Sequence, residues 1–134
     1  MSSILVDSNV ILDILTEDKT WFEWSSQQLA YYAEQGDLLI NPIIYAEISI
    51  GFSNITDLES ALPLSFFRRE PLPYEAAFSA GKAFLTYRKR GGERRSPLPD
   101  FYIGAHSMFA GYALLTRDAT RDRTYFPEIT LIAP

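Results

Sequence analysis

The chain has 134 residues, 47% hydrophobic and 22% charged, with no cysteine and a formal net charge of -5. That length fits one core, since two halves would each bury too little surface to offset their chain entropy, and the apolar content excludes intrinsic disorder. The lack of cysteine excludes a disulfide framework, a cysteine-based zinc site and a thiol nucleophile, and it fits a reducing compartment, the cytoplasm by default.

One domain over residues 1–134 is therefore expected. No apolar run approaches the roughly 18 residues of a membrane span. The opening MSSILVDSNVILDIL carries Asp7 and Asp13 with no basic region before them, so neither a signal peptide nor an anchor is expected. Charge is unevenly spread: residues 1–67 sum to -9 and residues 68–134 to +4. Lys82, Arg88, Lys89, Arg90, Arg94 and Arg95 crowd one stretch, with Arg117, Arg121 and Arg123 further on. This leaves open a phosphate-facing surface despite the acidic total. Its alternative is a solvated helix end, because cations suit the negative end of a helix dipole.

Ile4–Val6 is a short apolar run ending in Asp7, followed by Ser8 or Asn9 as a helix N-cap and by Val10, Ile11, Ile14 and Leu15 at helical spacing. A helix is expected over Trp21–Glu34 and stopped by Gly36, then a strand over Leu38–Ile40. Asn41 and Pro42 open a helix carrying Ile43, Ile44, Glu47 and Ile48, and Thr56–Phe67 reads as a further helix that Pro63 must kink or split. A third strand is expected to close at Leu72, before a helix from Pro73 and Tyr74 to Arg88. The segment from Gly91 to Pro99 reads as a loop, Asp100 as the first turn of a helix to about Gly111, and Tyr112–Thr116 and Ile129–Ile132 as the last strands. Strands alternating with helices predict an α/β fold with a mostly parallel central sheet of about four to five short strands, flanked by helices on both faces.

In such a sheet, ligands bind beyond the carboxyl ends of the strands. Asp7 and Asp118 end strands, Glu47 lies a turn into the helix after the second, and Asp100 starts the helix leading into the strand before Asp118. All four are thus placed to meet at one edge, where their repulsion would raise pKa values unless a divalent cation neutralised it. Hard Mg2+ or Mn2+ prefers such oxygen ligands. Each acid has an ordinary alternative: Asp7 a helix cap, Glu47 an exposed helix residue, Asp100 a dipole partner, Asp118 a turn residue. Glu47 is the most informative, because it stands on a strongly apolar helix where an unpaired charge is costly. Asp13 and Asp122 read as solvated, with Asp122 near enough to Asp118 to be a fifth, water-mediated participant. The lone His106 reads as a packed or partly exposed helix residue.

The segments ILVDSNVILDIL, NPIIYAEISIGF, SPLPDFYIGAHSMFAGYALLTRD and RDRTYFPEITLIAP together resemble the PIN-domain proteins, and among them the VapC toxins of type II toxin–antitoxin modules. The resemblance spans essentially the whole chain. It implies a small PIN-like α/β fold and metal-dependent ribonuclease activity. It also carries the family's acidic quartet onto Asp7, Glu47, Asp100 and Asp118, with Asn9 and Thr116 as supporting polar positions. Two Mg2+ or Mn2+ ions roughly 3.5 to 4 Å apart would leave products with a 5′-phosphate and a 3′-hydroxyl and require no histidine base. Arg88, Lys89, Arg90, Arg94 and Arg95 are the leading phosphate contacts on an RNA substrate, with Arg117 nearer the metals.

The resemblance further implies a homodimer and inhibition by a VapB-type antitoxin, lying in a groove to which the helices at Trp21–Tyr32 and Thr56–Phe67 contribute. Two competing readings are a non-catalytic PIN-fold module binding RNA or protein, and a haloacid-dehalogenase-like phosphatase. In the latter, VDSNV is the nucleophile loop, but Asn9 stands where that chemistry needs an acid.

Overall fold

Ile4, Leu5 and Val6 are buried on both faces of β1 (Ser2–Val6), the middle strand of the sheet in the computed structural model, which describes residues 2–91 and 98–134. An unbroken apolar run is what a strand covered on both sides requires. On one side of β1 lie β2 (Gly36–Ile40) and then β3 (Phe67–Arg69), and on the other β4 (Ala113–Leu115) and then β5 (Leu131–Ile132). All four pairings are parallel, with Leu5 opposite both Leu39 and Leu114.

Seven helices connect these strands among the described residues. α1 (Ser8–Leu15) and α2 (Phe22–Gln35) link β1 to β2, and α3 (Pro42–Ser49) and α4 (Ile55–Ala61) link β2 to β3. α5 (Tyr74–Lys89) and α6 (Leu98–Ala110) link β3 to β4, and α7 (Thr120–Tyr125) links β4 to β5. The chain first builds outward from β1 through β2 to β3, then crosses back to β4 on the opposite side. The β1–β4 seam is therefore the point where connections diverge, which opens a crevice at the strands' carboxyl ends.

Beyond shifts of a residue or two at element ends, the structure differs from the sequence expectations around the third strand, at α7, and at the expected Gly91–Pro99 loop. Residues 92–97 of that loop lie outside the described residues, and Leu98 and Pro99 already belong to α6. The third strand lies at Phe67–Arg69 rather than closing at Leu72. Pro63 explains the start: it disfavours helical backbone at Leu62, so α4 stops at Ala61 and Phe67 is released to pair with Leu38. The ladder closes when the Glu70 N–H donates to the Ile40 carbonyl at 2.9 Å, and Pro71 follows with no N–H to donate. Phe67, expected in a helix, is thereby a buried strand residue. A separate difference is α7, a single polar turn and a half with no periodic apolar stripe to announce it.

α6 ends as expected at Gly111, whose φ of 74° lets the Tyr112 N–H return to the Ser107 carbonyl at 2.9 Å. α5 and α6 pack through Phe84, Tyr87 and Phe101, and the Tyr125 ring joins this cluster. No helix among the described residues is long and apolar enough to cross a membrane.

Candidate active site

Asp7 occupies the N-cap position of α1 with extended backbone, yet its side chain makes no capping hydrogen bond. It accepts instead from the Thr116 hydroxyl at 2.9 Å, just beyond β4, and is only 6% exposed. Burial pushes its pKa up, an effect that the Thr116 hydrogen bond and the charge of Arg121 partly offset.

The Thr116 oxygen also accepts from the Asn9 amide and the Asp118 N–H, each at 3.2 Å. A hydroxyl has one proton, and here the nearby carboxylate takes it. Asn9 completes the link by accepting from the Arg117 N–H at 3.3 Å. The two supporting residues thus tie the start of α1 to the loop that carries Asp118, which is itself exposed.

Glu47 reaches the same edge from α3. Asn41 starts that helix, accepting from the Ile44 N–H at 2.9 Å, with Pro42 in the first turn. Ile44 and Ile48 bury the helix face, while Glu47 is half-buried and accepts from the Ser8 hydroxyl at 2.8 Å. Its pKa is raised by burial and by Asp7 and Asp100, against the lowering effect of Ser8. The Asn41 amide faces His106 Nδ1 at 3.0 Å. With the Asn41 carbonyl engaged on α3, its NH2 donates and Nδ1 accepts, which puts the imidazole proton on Nε2. His106 is 2% exposed and burial lowers its pKa, so it is a neutral packing residue.

Asp100, in the first turn of α6, forms an ion pair at 3.6 Å with Arg121 of α7, whose guanidinium also lies over the Phe101 ring. Burial raises the Asp100 pKa, Arg121 opposes this and Asp118 adds to it.

Asp122 overturns its sequence expectation. It is 1% exposed rather than solvated, and neither carboxylate oxygen has a hydrogen-bond partner among the described residues. Burial drives its pKa to about 7, with Asp7, Asp100 and Asp118 contributing in the same direction. Gly104 makes this burial possible: a Cβ there would come within 2.6 Å of Asp122 Oδ1 and of the Phe126 ring. Gly104 lies one turn after Asp100 on α6, so the residue that seats α7 against α6 stands next to the acid that α7 neutralises.

Asp13 also departs from the solvated reading. It is 2% exposed, accepts from the Ser25 hydroxyl at 2.8 Å and pairs with Arg117 at 2.9 Å. Arg117 is thus committed to Asp13 and to the Trp21 ring, rather than standing ready for a phosphate beside the acids. Arg88, Lys89 and Arg90 are exposed at the end of α5, whereas Arg94 and Arg95 lie outside the described residues.

In the sequence Gly104 is given no role, and Arg121 counts only among the basic residues. A glycine inside an apolar helix costs about 1 kcal/mol relative to alanine, and that cost was the available signal for close packing. Arg121 carried no signal beyond its charge.

Asp122 thus lies within electrostatic reach of Asp7, Asp100 and Asp118, Glu47 within reach of Asp7 and Asp100, and Arg121 acts on Asp7, Glu47, Asp100 and Asp122. In this arrangement no three acidic or histidine side chains among the described residues are grouped tightly enough to hold a metal ion. The donor chemistry nonetheless suits a hard divalent cation: the candidate donors are all carboxylates, and one of them, buried, lacks a hydrogen-bond partner.

The PIN domain family model matches residues 4–127, and the chain belongs to that family. Among curated proteins no sequence matches the chain significantly. Solved structures do. One is VapBC2 from Rickettsia felis, crystallised with a DNA fragment from its promoter, at 16% identity, covering 98% of both chains with a TM-score of 0.74. VapBC-1 from nontypeable Haemophilus influenzae matches at 18% identity over 98% of this chain and 97% of that one, TM-score 0.73. FitAcB from Neisseria gonorrhoeae matches at 22% identity over 96% of each, TM-score 0.71. At such identities the likeness is one of fold. Family membership and the engagement of Asn9 as an amide leave the phosphatase reading without support.

Proposed function

We propose that the chain is the toxin of a VapBC-type pair and an endoribonuclease dependent on Mg2+ or Mn2+. The observation that carries this reading is the gathering of five carboxylates beyond β1 and β4, four of them with raised pKa values. Asp7, Glu47, Asp100 and Asp118 are the residues that would hold the ion, with Asp122 buried close by. A divalent ion held there supplies Lewis-acid activation of a phosphodiester and of water.

The chain's own part is to aim and balance the acids. Thr116 fixes the Asp7 carboxylate and Ser8 fixes Glu47 by single hydrogen bonds. Arg121 offsets the charge of Asp100, and an ion drawn to Asp100 must compete with that guanidinium. His106 is buried with Nδ1 engaged, so it offers no general base.

The partners follow the same reading. A cleft of about 400 Å³ is lined by Ile11, Ile14, Leu29, Pro63, Phe66 and other largely apolar residues, and is suited to an apolar antitoxin segment. Phe66, 42% exposed, and Phe67 are among its lining residues, and Trp21, Phe22 and Trp24 are not. The toxin is proposed to be a homodimer, which light scattering of the purified protein tests directly.

The deciding experiment incubates purified, antitoxin-free protein with total RNA in Mg2+, in Mn2+ and in EDTA, alongside Asp100→Asn. Defined cuts bearing 5′-phosphates, lost in EDTA and reduced at least 100-fold in the variant, are expected. Full activity in EDTA, or cyclic phosphate ends, would overturn the mechanism. Folded protein that binds RNA and cuts none would instead favour the non-catalytic binding module.

A further inference from the structure

We propose that the cleft between α5, α6 and α7 is a track for single-stranded RNA, leading away from the carboxylate cluster. The proposal builds on the nuclease reading above and gives its substrate a path over this chain.

The cleft has a volume of about 440 Å³, and its described lining holds no acidic residue. Lys82, Thr86 and Arg90 line it from α5, Met108 from α6, and Thr124 and Tyr125 from α7. Lys82, Thr86 and Arg90 recur every four residues on one face of the helix, so they stand about 6 Å apart along its axis. The Thr86 hydroxyl donates to the Lys82 carbonyl at 3.1 Å, so the row offers the phosphates of a nucleic acid strand two cations, about 12 Å apart along the axis.

Each cation lies over an aromatic ring. Lys82 Nζ is 5.3 Å from the centre of the Phe78 ring, and the Arg90 guanidinium is 5.7 Å from that of Tyr125. Phe78 is 69% exposed, which leaves a large apolar face open beside a charge. Aromatic platforms alternating with cations are the chemistry that holds single strands: bases stack on the rings and phosphates meet the charges, with little dependence on sequence.

Through Tyr125 the cleft lies one buried ring away from the acid cluster. The Tyr125 ring packs at 5.5 Å on Phe101, the neighbour of Asp100, and Arg121 lies over the other end of the same contact. Arg121 of α7 is held by Asp100, whereas Lys82 and Arg90 line a cleft whose described residues include no acid, so these two are the cations placed to meet a polyanion. An acidic peptide would satisfy the charges but supplies no flat faces for Phe78 and Tyr125.

Fluorescence polarisation of a labelled, unstructured RNA oligonucleotide in EDTA isolates binding from cleavage. The test compares wild type with Lys82→Ala, Arg90→Ala, the double variant and Lys19→Ala, an exposed lysine elsewhere; all four alter exposed side chains and are expected to fold. The double variant is expected to bind at least tenfold more weakly, with its salt dependence reduced by about 1.4 in log–log slope for two lost contacts. In Mg2+ it should show a raised KM with kcat unchanged, and Lys19→Ala should match wild type in both assays.

A double variant that binds like wild type overturns the track and leaves the nuclease reading to stand on cleavage. RNA binding that depends on Lys82 and Arg90 without any cleavage in Mg2+ sustains the track and overturns the nuclease reading. Wild type that binds no RNA, or that releases it equally well to polyglutamate, overturns the track.

Discussion

Asp13 on α1 and Asp122 on α7 are both buried aspartates at 2% and 1% exposure, and each has an arginine nearby. Asp13 accepts hydrogen bonds from Ser25 and from Arg117, so its charge is answered and the pair locks α1, α2 and the loop after β4 together. Asp122 has no hydrogen-bond partner among the described residues and faces three other carboxylates. Equal burial therefore goes with opposite electrostatic situations. The difference lies in whether the surroundings complete the group's hydrogen bonds or leave its charge for something else to meet.

Replacing the unanswered acid should have the larger effect, and with the unusual sign. The folded pKa of Asp122, about 7, is above the ordinary 3.8, so between these values the folded state binds more protons than the unfolded chain. Stability from this group is accordingly lost as pH rises from about 4 to about 7, by a total on the order of 4 kcal/mol. Asp122→Asn is expected to raise the urea midpoint in EDTA at pH 8 while changing it little at pH 4. A variant equally destabilised at both pH values would show that the carboxylate is satisfied after all.

Replacing the answered acid should do the opposite. Asp13→Asn removes the charge that holds Arg117 and is expected to cost about 3 kcal/mol at neutral pH, read from chemical denaturation. A loss below about 0.5 kcal/mol would equate this pair with an ordinary surface ion pair.

The smallest effect is expected at the seat of α7. Gly104→Ala forces a methyl group against Asp122 and against the Phe126 ring, which is 1% exposed and has nowhere to retreat. A cost of about 2 kcal/mol is expected, together with faster amide exchange in α7 than in β1. Unchanged exchange in α7 would mean that this contact relaxes freely.

Much of this molecule follows from local sequence. The apolar run before Asp7, the Asn41–Pro42 start of α3, the long helices of the middle of the chain and the alternation of strands with helices all depend on short-range patterning. Together they led to a parallel sheet with acids at its carboxyl edge. Features set by contacts between distant segments were not readable in that way. Phe67 joined the sheet only because Leu38 offered it an edge after Pro63 had ended α4. In the sequence Asp13 and Asp122 read alike as solvated acids, and Arg117, not Arg121, reads as the cation nearer the metals. Their different roles arose when α1 met the loop after β4, and when Gly104 let α7 settle on α6. Residue order determines periodicity, caps and breaks, whereas the free energy of a buried charge depends on which groups the whole fold brings within reach of it.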